Sequence, residues 1–171
     1  MELRMMWGRK KIQGTVYDLQ HLDPFILDVP RGGQKADYLV RVEFSCHTFT
    51  ENYHSLHTPD LAISHGNDLR AFCLKRYAQS LHLEAAIRNA VNGIVYNSSG
   101  NPVVCATLPN LAGTYLIAFK IRKTKSPHFD AVMHVASAHH RPKFDLNVPT
   151  APFPVAIAAG IAGAKIRWTK K

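Results

Sequence analysis

Large apolar side chains at every second position over residues 115–122 constrain the fold more than any other feature of this chain. These side chains belong to Tyr115, Ile117, Phe119 and Ile121. A period of two is typical of a β-strand with one buried face, because successive side chains of a strand point to opposite sides. The chain is therefore expected to build a sheet, with basic residues at one end of this strand.

Other stretches indicate further strands. Residues 38–44 show the same alternation, with the larger apolar side chains on one side. Residues 103–108 follow a turn at 97–102 and are extended, and residues 129–139 are expected to pair with the strand at 115–122. Their close spacing along the chain predicts an antiparallel meander.

Between these strands, residues 67–92 show helical spacing. Apolar residues from Leu69 to Cys73 and from Leu83 to Val91 recur at intervals of three and four, with Ser80 as a possible N-cap and Gly93 as the end. The order of segments predicts an α+β fold in which an N-terminal strand and helices pack on an antiparallel sheet.

The chain has 171 residues, of which 46% are hydrophobic, and it is expected to form a single domain over residues 1–171. An irregular arm is predicted for about residues 1–37, where prolines and glycines are frequent in the second half. A proline-rich segment is predicted for about residues 142–171, ending in an edge strand or a short helix.

Basic residues outnumber acidic ones by 21 to 12, which gives a formal net charge of +9. Such an excess favours a polyanionic partner, namely RNA, DNA or an acidic protein, although a merely soluble basic protein has the same composition. The widely spaced cysteines Cys46, Cys73 and Cys105 indicate reduced thiols in the cytoplasm. The longest apolar run, residues 155–164, is too short to span a membrane, and membrane association is not expected.

Ten histidines are present, and the first group follows the strand at 38–44. His47 is expected at the rim of the sheet, where it can serve as a general base. The same region offers zinc ligands, since Cys46 or Cys73 could combine with His54, His57 or His65. The remaining alternative is that these histidines are surface residues of a polar loop.

A second candidate region lies in the expected helix. Arg70, Lys75 and Arg76 supply positive charge, and Tyr77 supplies a hydroxyl group. Guanidinium groups can bind a phosphate through two hydrogen bonds, so this set suits a phosphodiester. A solvated helix face would have the same pattern.

A third region is the end of the strand at 129–139. Simple alternation puts Ser137 and His139 on one face and His134 and His140 on the other. Ser137 and His139 could take part in metal-free acid–base chemistry beside the neighbouring basic strand. A serine hydrolase is less well supported, because the chain has no GxSxG sequence.

The segments FSCHTFT, RAFCLKRYAQSLHL and HVASAHHR together resemble small bacterial proteins described as stationary-phase growth adaptation proteins, over roughly residues 38–142. The layout of a helix followed by an antiparallel sheet is also similar to that of toxin-type ribonucleases of the barnase, EndoU and RelE group. That similarity implies attack by the RNA 2′-hydroxyl, promoted by histidine, arginine, tyrosine, serine or threonine. Barnase-like enzymes use a glutamate base, a place that only Glu43 or Glu84 could fill here.

The leading hypothesis is a metal-independent, toxin-like endoribonuclease that needs no cofactor, with RNA as substrate and an acidic antitoxin as a possible partner. Its expected catalytic residues are His47, Arg76, Tyr77, Ser137 and His139. Its expected nucleic-acid contacts are Arg70, Lys75, Lys120, Arg122, Lys123 and Lys125.

The alternatives to an enzyme are two binding functions. One is a non-catalytic basic module that binds nucleic acid or an acidic protein, using Arg9, Lys10 and Lys11 together with the basic residues at 120–125. The other is a zinc-binding protein.

Overall fold

The computed structural model describes residues 6–170, and this part of the chain forms an α+β fold, as the sequence predicts. Its helices are α1 (Leu74–Ser80), α2 (Leu83–Ala90) and α3 (Phe153–Ala162). Its strands are β1 (Arg9–Ile12), β2 (Thr15–Asp18), β3 (Phe25–Val29), β4 (Tyr38–Phe44), β5 (Thr50–Asn52), β6 (Ala62–His65), β7 (Asp68–Phe72), β8 (Ile94–Ser98), β9 (Asn101–Ala106), β10 (Thr114–Lys123), β11 (Ala131–Arg141) and β12 (Thr150–Pro152).

A mixed seven-stranded sheet in the order β12-β8-β9-β10-β11-β4-β3 forms the centre of the molecule. Strands β8 to β11 are consecutive antiparallel neighbours, so the predicted meander is confirmed. Strand β4 joins β11 in parallel, and β3 pairs with the outer edge of β4. Short strands β5, β7 and β6 form a separate antiparallel sheet, and β1 and β2 form a hairpin.

One face of the large sheet is apolar and buried. The alternation at 38–44 is confirmed, because Val40, Val42 and Phe44 are fully buried while the residues between them are partly exposed. On the neighbouring strands, Val135 and Phe119 continue this buried face. It holds most of the core, since burial of such side chains is the main favourable term in folding.

Helices cover this apolar face. Phe153 at the start of α3 packs against Phe119 with ring centroids 5.9 Å apart, and Leu83 and Ile87 of α2 are fully buried. Helix α3 approaches the sheet so closely that a Cβ on Gly160 would lie 2.4 Å from the Cβ of Ile121. Only glycine allows this contact without a shift of the helix.

The expected helix over residues 67–92 is wrong at its beginning. Residues Asp68–Phe72 form strand β7, and the helices begin only at Leu74. Pairing of β7 with both β5 and β6 satisfies its backbone groups and overrides the helical spacing of its side chains. Ser80 is the last residue of α1 and not an N-cap of α2.

The two ends of the chain contain more regular structure than the sequence indicates. The first 37 residues, expected as an irregular arm, include strands β1, β2 and β3 within their described part. In the C-terminal segment, the stretch expected as an edge strand or a short helix contains most of helix α3, and the proline-rich part before it contains the short strand β12. Among the described residues, no helix combines the length and the apolar character that a membrane crossing requires.

Candidate functional site

A β-bulge in β11 decides which side chains share a face of the large sheet. The register of β10 and β11 shifts between Ala118 and Phe119, where Ala118 pairs with Ser137 but Phe119 pairs with Val135. Ala136 is therefore an additional residue, and such a bulge reverses the alternation of faces beyond it. Ser45 holds this segment, since its backbone N–H and its hydroxyl donate to the carbonyls of Val135 and Ala136 at 3.0 and 2.6 Å.

The expectation that His134 and His139 lie on opposite faces is wrong because of this bulge. The cross-strand partners of His134, Ser137 and His139 are Lys120, Ala118 and Leu116, which alternate along β10. All three residues therefore point to the side opposite the core. We call this side of the sheet the polar face, formed by Arg41, Glu43, Lys120, Arg122, His134, Ser137 and His139.

A row of three functional groups crosses the polar face. His134 pairs with Glu43 of β4 on one side and with Lys120 of β10 on the other. Neighbouring strands lie about 4.8 Å apart, so these three side chains can contact one bound group. Glu43 also accepts a hydrogen bond from Arg41 at 2.8 Å, which fixes the position of its carboxylate.

The surroundings of His134 favour the neutral form of its imidazole. Burial lowers the pKa of His134, and the positive charges of Arg122 and Lys120 lower it further, while Glu43 opposes them. The charge of His47 also lowers the pKa of His134. A neutral imidazole beside fixed cations can accept a proton from a substrate whose negative charge those cations hold.

Ser137 and His139 lie farther along the same strand. Burial lowers the pKa of His139, and the charges of Arg141 and Arg76 add to this effect. Arg141 donates a hydrogen bond to Nε2 of His139 at 3.1 Å. The register partners of His134 and His139 are four residues apart on β10, which separates the two histidines by about 13 Å at roughly 3.3 Å per residue. One phosphate cannot contact both of them.

A cavity of about 290 Å³ opens at the bulge. Its lining includes Ala118 and Ala136 at the bulge, together with Ser98, Asn101 and Lys120. The small side chains at the bulge leave this space, and Lys120 connects it with the row that contains His134. The cavity therefore lies next to that row.

The guanidinium group of Arg76 contacts the backbone of His47. Arg76 Nη1 donates to the carbonyl oxygens of His47 and Thr50 at 3.2 and 2.9 Å. His47 Nε2 lies 3.1 Å from a carboxylate oxygen of Asp68. The structure thus brings Arg76 near both His47 and His139, with part of its guanidinium already used to hold the loop after β4.

Tyr77 is bound elsewhere. Its hydroxyl donates to the carbonyl oxygen of Asp18 at 3.2 Å, and its ring packs on Tyr17 and His21. His21 Nε2 lies 2.7 Å from the Ser80 hydroxyl in the same cluster. No described contact joins Tyr77 to Ser137 or to His139.

The expected nucleic-acid contacts fall into two groups. Arg70 is buried and crosslinks β7 to β5, since it donates to Thr50 Oγ1 at 2.8 Å and to Asn52 Oδ1 at 2.9 Å. Lys75 is exposed on α1 and lines a cleft with residues 108–111. The exposed residues Lys120, Arg122, Lys123 and Lys125 lie together on β10 and the loop after it.

Among the described residues, the cysteines and histidines suggested as zinc ligands do not come together at one site. His54 and His57 stack with ring centroids 3.7 Å apart, and His57 Nε2 lies 3.3 Å from Glu51. His65 packs against the ring of Trp7. Among the described residues, Cys46 instead lies with His47 and Asp68, and all three potential ligand atoms are within 4.8 Å of one another. Burial raises the pKa of the Cys46 thiol, an effect that the charge of Arg70 opposes.

A cleft beside α2 contains none of the residues that form the polar face. It has a volume of about 410 Å³ and lies between α2 and residues 105–109. A neighbouring cleft of about 260 Å³ contains Lys75. Neither cleft contains any of the expected catalytic residues.

Sequence reasoning missed His134 and Glu43 as partners in a site. Glu43 is the glutamate that the structure places on the polar face, whereas Glu84 forms an i,i+4 ion pair with Arg88 on α2. Both Glu43 and His134 are visible in the sequence as strand residues. Their pairing depends on the parallel register of β4 and β11, for which the sequence contains no local signal.

Comparisons with known proteins give a family but no activity. No curated protein and no protein of known structure matches the chain. The sequence model of the YjaZ family matches residues 9–159, which include the large sheet, the helices α1 and α2, and the polar face. The match contains the stretch on which the resemblance to small bacterial proteins depends, and it supports no link to toxin-type ribonucleases. Because it covers most of the chain, the protein belongs to the YjaZ family.

Proposed function

We propose that this protein is a metal-independent endoribonuclease that cleaves RNA bound along the polar face. The observation that carries the proposal is the row of Glu43, His134 and Lys120 across three neighbouring strands. This row combines a proton acceptor, a carboxylate that stabilises the protonated imidazole, and a cation for the phosphate. These are the groups that phosphodiester transfer requires.

In the proposed reaction, His134 accepts the proton of an RNA 2′-hydroxyl group. The 2′-oxygen attacks the adjacent phosphorus, the bond to the 5′-oxygen breaks, and the leaving oxygen takes a proton from solvent. The products are a 2′,3′-cyclic phosphate and a 5′-hydroxyl end. Lys120 and Arg122 stabilise the negative charge that builds up on the phosphate.

The rest of the polar face supports binding of a longer strand. His139 lies about 13 Å from His134 along β11 at roughly 3.3 Å per residue, so it would contact a different nucleotide, and Ser137 lies between the two histidines. Arg141 and Arg76 add positive charge at that end. An acidic antitoxin would compete with RNA for this surface, because complementary charge speeds capture.

The experiment is incubation of the purified full chain with total RNA and with translating ribosomes in the presence of EDTA. We expect fragments with cyclic phosphate ends and a strong loss of cleavage in the His134→Gln variant. The matched control is His140→Gln, because His140 is on the opposite face and its ring is bound to the Ala112 carbonyl. Intact RNA with all of these substrates would contradict the proposal.

A second candidate function is non-catalytic binding of nucleic acid on the same surface. The observation that favours it is the group of exposed basic side chains at the end of β10 and in the following loop. Binding that survives the His134→Gln substitution, without any cleavage by the unmodified protein, would support this function and exclude the enzyme.

A further inference from the structure

A sulfur, a nitrogen and an oxygen ligand meet beside the large sheet, at the end of β4. Cys46 and His47 belong to the short 3-10 helix Cys46–Thr48 that follows β4, and Asp68 is the first residue of β7. Their potential ligand atoms all lie within 4.8 Å of one another, and His47 Nε2 is 3.1 Å from Asp68 Oδ2.

We propose that Cys46, His47 and Asp68 bind a zinc ion, with water as the fourth ligand. Zinc is bound by cysteine, histidine and carboxylate ligands at about 2.0–2.3 Å, which places the ligand atoms of a tetrahedral site about 3.3–3.8 Å apart. The observed separations reach this geometry through small side-chain rotations. A thiolate ligand also excludes magnesium and calcium, which prefer oxygen ligands only.

The same three residue types could form a cysteine nucleophile with its base and orienting carboxylate, but burial argues against that assignment. Cys46 is 1% exposed, and a buried structural thiol is inert toward substrates. A metal ion needs access from one side only. The side chains of His47 and Asp68 are 36% and 62% exposed and provide that side.

The proposed ion would add to the β5–β7 pairing a direct link between two parts of the fold. It would link the 3-10 helix after β4 to the β6–β7 hairpin through Asp68. Binding to the folded chain alone would raise its stability, because the ligand set is assembled only after folding. The RNA chemistry proposed above does not pass through this ion, so the two proposals can fail separately.

The experiment is a titration of the metal-free full chain with zinc ion in competition with a chromophoric chelator. We expect one tight site per chain and an increase in the melting temperature with zinc. His47→Gln and Asp68→Asn should each weaken binding by more than the roughly 10–100-fold that loss of an outer-shell partner costs. Their matched controls are His128→Gln and Asp60→Asn, which replace exposed side chains outside this cluster.

Cobalt ion tests the sulfur ligand directly. The cobalt-loaded protein should show a sulfur-to-cobalt charge-transfer band that Cys46→Ser abolishes and Cys105→Ser retains. If Cys46→Ser does not fold, the exposed positions 47 and 68 still decide the question. Absence of tight zinc binding, or equal affinity in the unmodified chain and both of these variants, would overturn the proposal.

Discussion

His134 and His139 lie on the same face of the large sheet, although alternation along an unbroken strand would place them on opposite faces. The additional residue Ala136 in β11 causes this, because it shifts the register against β10. The two histidines are nevertheless about 13 Å apart at roughly 3.3 Å per residue. The bulge thus gives the polar face two separate histidine positions.

The first prediction concerns these two positions. His134→Gln should lower the rate of RNA cleavage by about 10²–10⁴-fold, the usual contribution of a general base. His139→Gln should weaken RNA binding and leave the rate of cleavage at saturating RNA close to that of the unmodified protein. Single-turnover kinetics measure both effects. A larger loss of rate in His139→Gln than in His134→Gln would place the catalytic centre at the His139 end of the polar face.

The second prediction concerns the salt dependence of binding. Lys120→Gln and Arg122→Gln should each weaken binding to single-stranded RNA and reduce the slope of log affinity against log salt by about 1. Lys165→Gln is the control, since Lys165 is an exposed residue in the segment after α3, the helix that packs on the apolar face. Fluorescence anisotropy across a salt series gives the slopes. Equal slopes in all three variants would place the RNA elsewhere.

The third prediction concerns pH. Burial lowers the pKa of His21, His134 and His139 below the ordinary value of 6.5. As the pH falls through 6.5, the unfolded chain binds protons that the folded chain does not yet accept, so the free energy of unfolding decreases. The decrease is complete once the pH is below the pKa values of the folded chain.

Urea denaturation above and below pH 6.5 measures this effect. In the His21→Gln variant the decrease should be smaller, and glutamine can still donate to the Ser80 hydroxyl. A stability that stays constant or increases as the solution becomes more acidic through this range would contradict the prediction.

The fourth prediction concerns Tyr115. Its hydroxyl is buried and has no hydrogen-bond partner among the described residues, and burial raises its pKa. Tyr115→Phe should increase the free energy of unfolding by about 1 kcal/mol, because it removes an unsatisfied buried group. Tyr77→Phe should decrease it by about 1 kcal/mol, since the Tyr77 hydroxyl donates to Asp18. Chemical denaturation of both variants tests the contrast, and destabilisation by Tyr115→Phe would show that its hydroxyl has a partner.

The strands with strict alternation could be predicted from sequence because their signal is local. In β4 and β10 alternate residues point to opposite faces of the sheet, and burial of the apolar residues fixes which face each residue occupies. The meander from β8 to β11 follows from short connections that allow only neighbouring pairing. The basic residues at the end of β10, including Lys120 and Arg122, were also expected, because their place in the alternating stretch is visible in the sequence.

The tertiary structure decided the features that depend on contacts distant in sequence. Residues 68–72 became a strand because β5 and β6 supply backbone partners on both sides. Arg70 is buried between strands instead of facing a phosphate, because Thr50 and Asn52 satisfy its guanidinium. Neither outcome can be derived from the residues of β7 alone.

The candidate site likewise combines features that the sequence predicts with features that depend on the fold. Hydrophobic periodicity and charge are local properties, so they were enough to predict an α+β protein with histidines and basic residues on strands. Only the fold decided that Glu43, His134 and Lys120 form one row and that Cys46, His47 and Asp68 meet, because these groupings depend on a parallel strand pair, a bulge and a distant hairpin. Strand register and bulges are set by the packing of the whole sheet, for which a single sequence has no local signal.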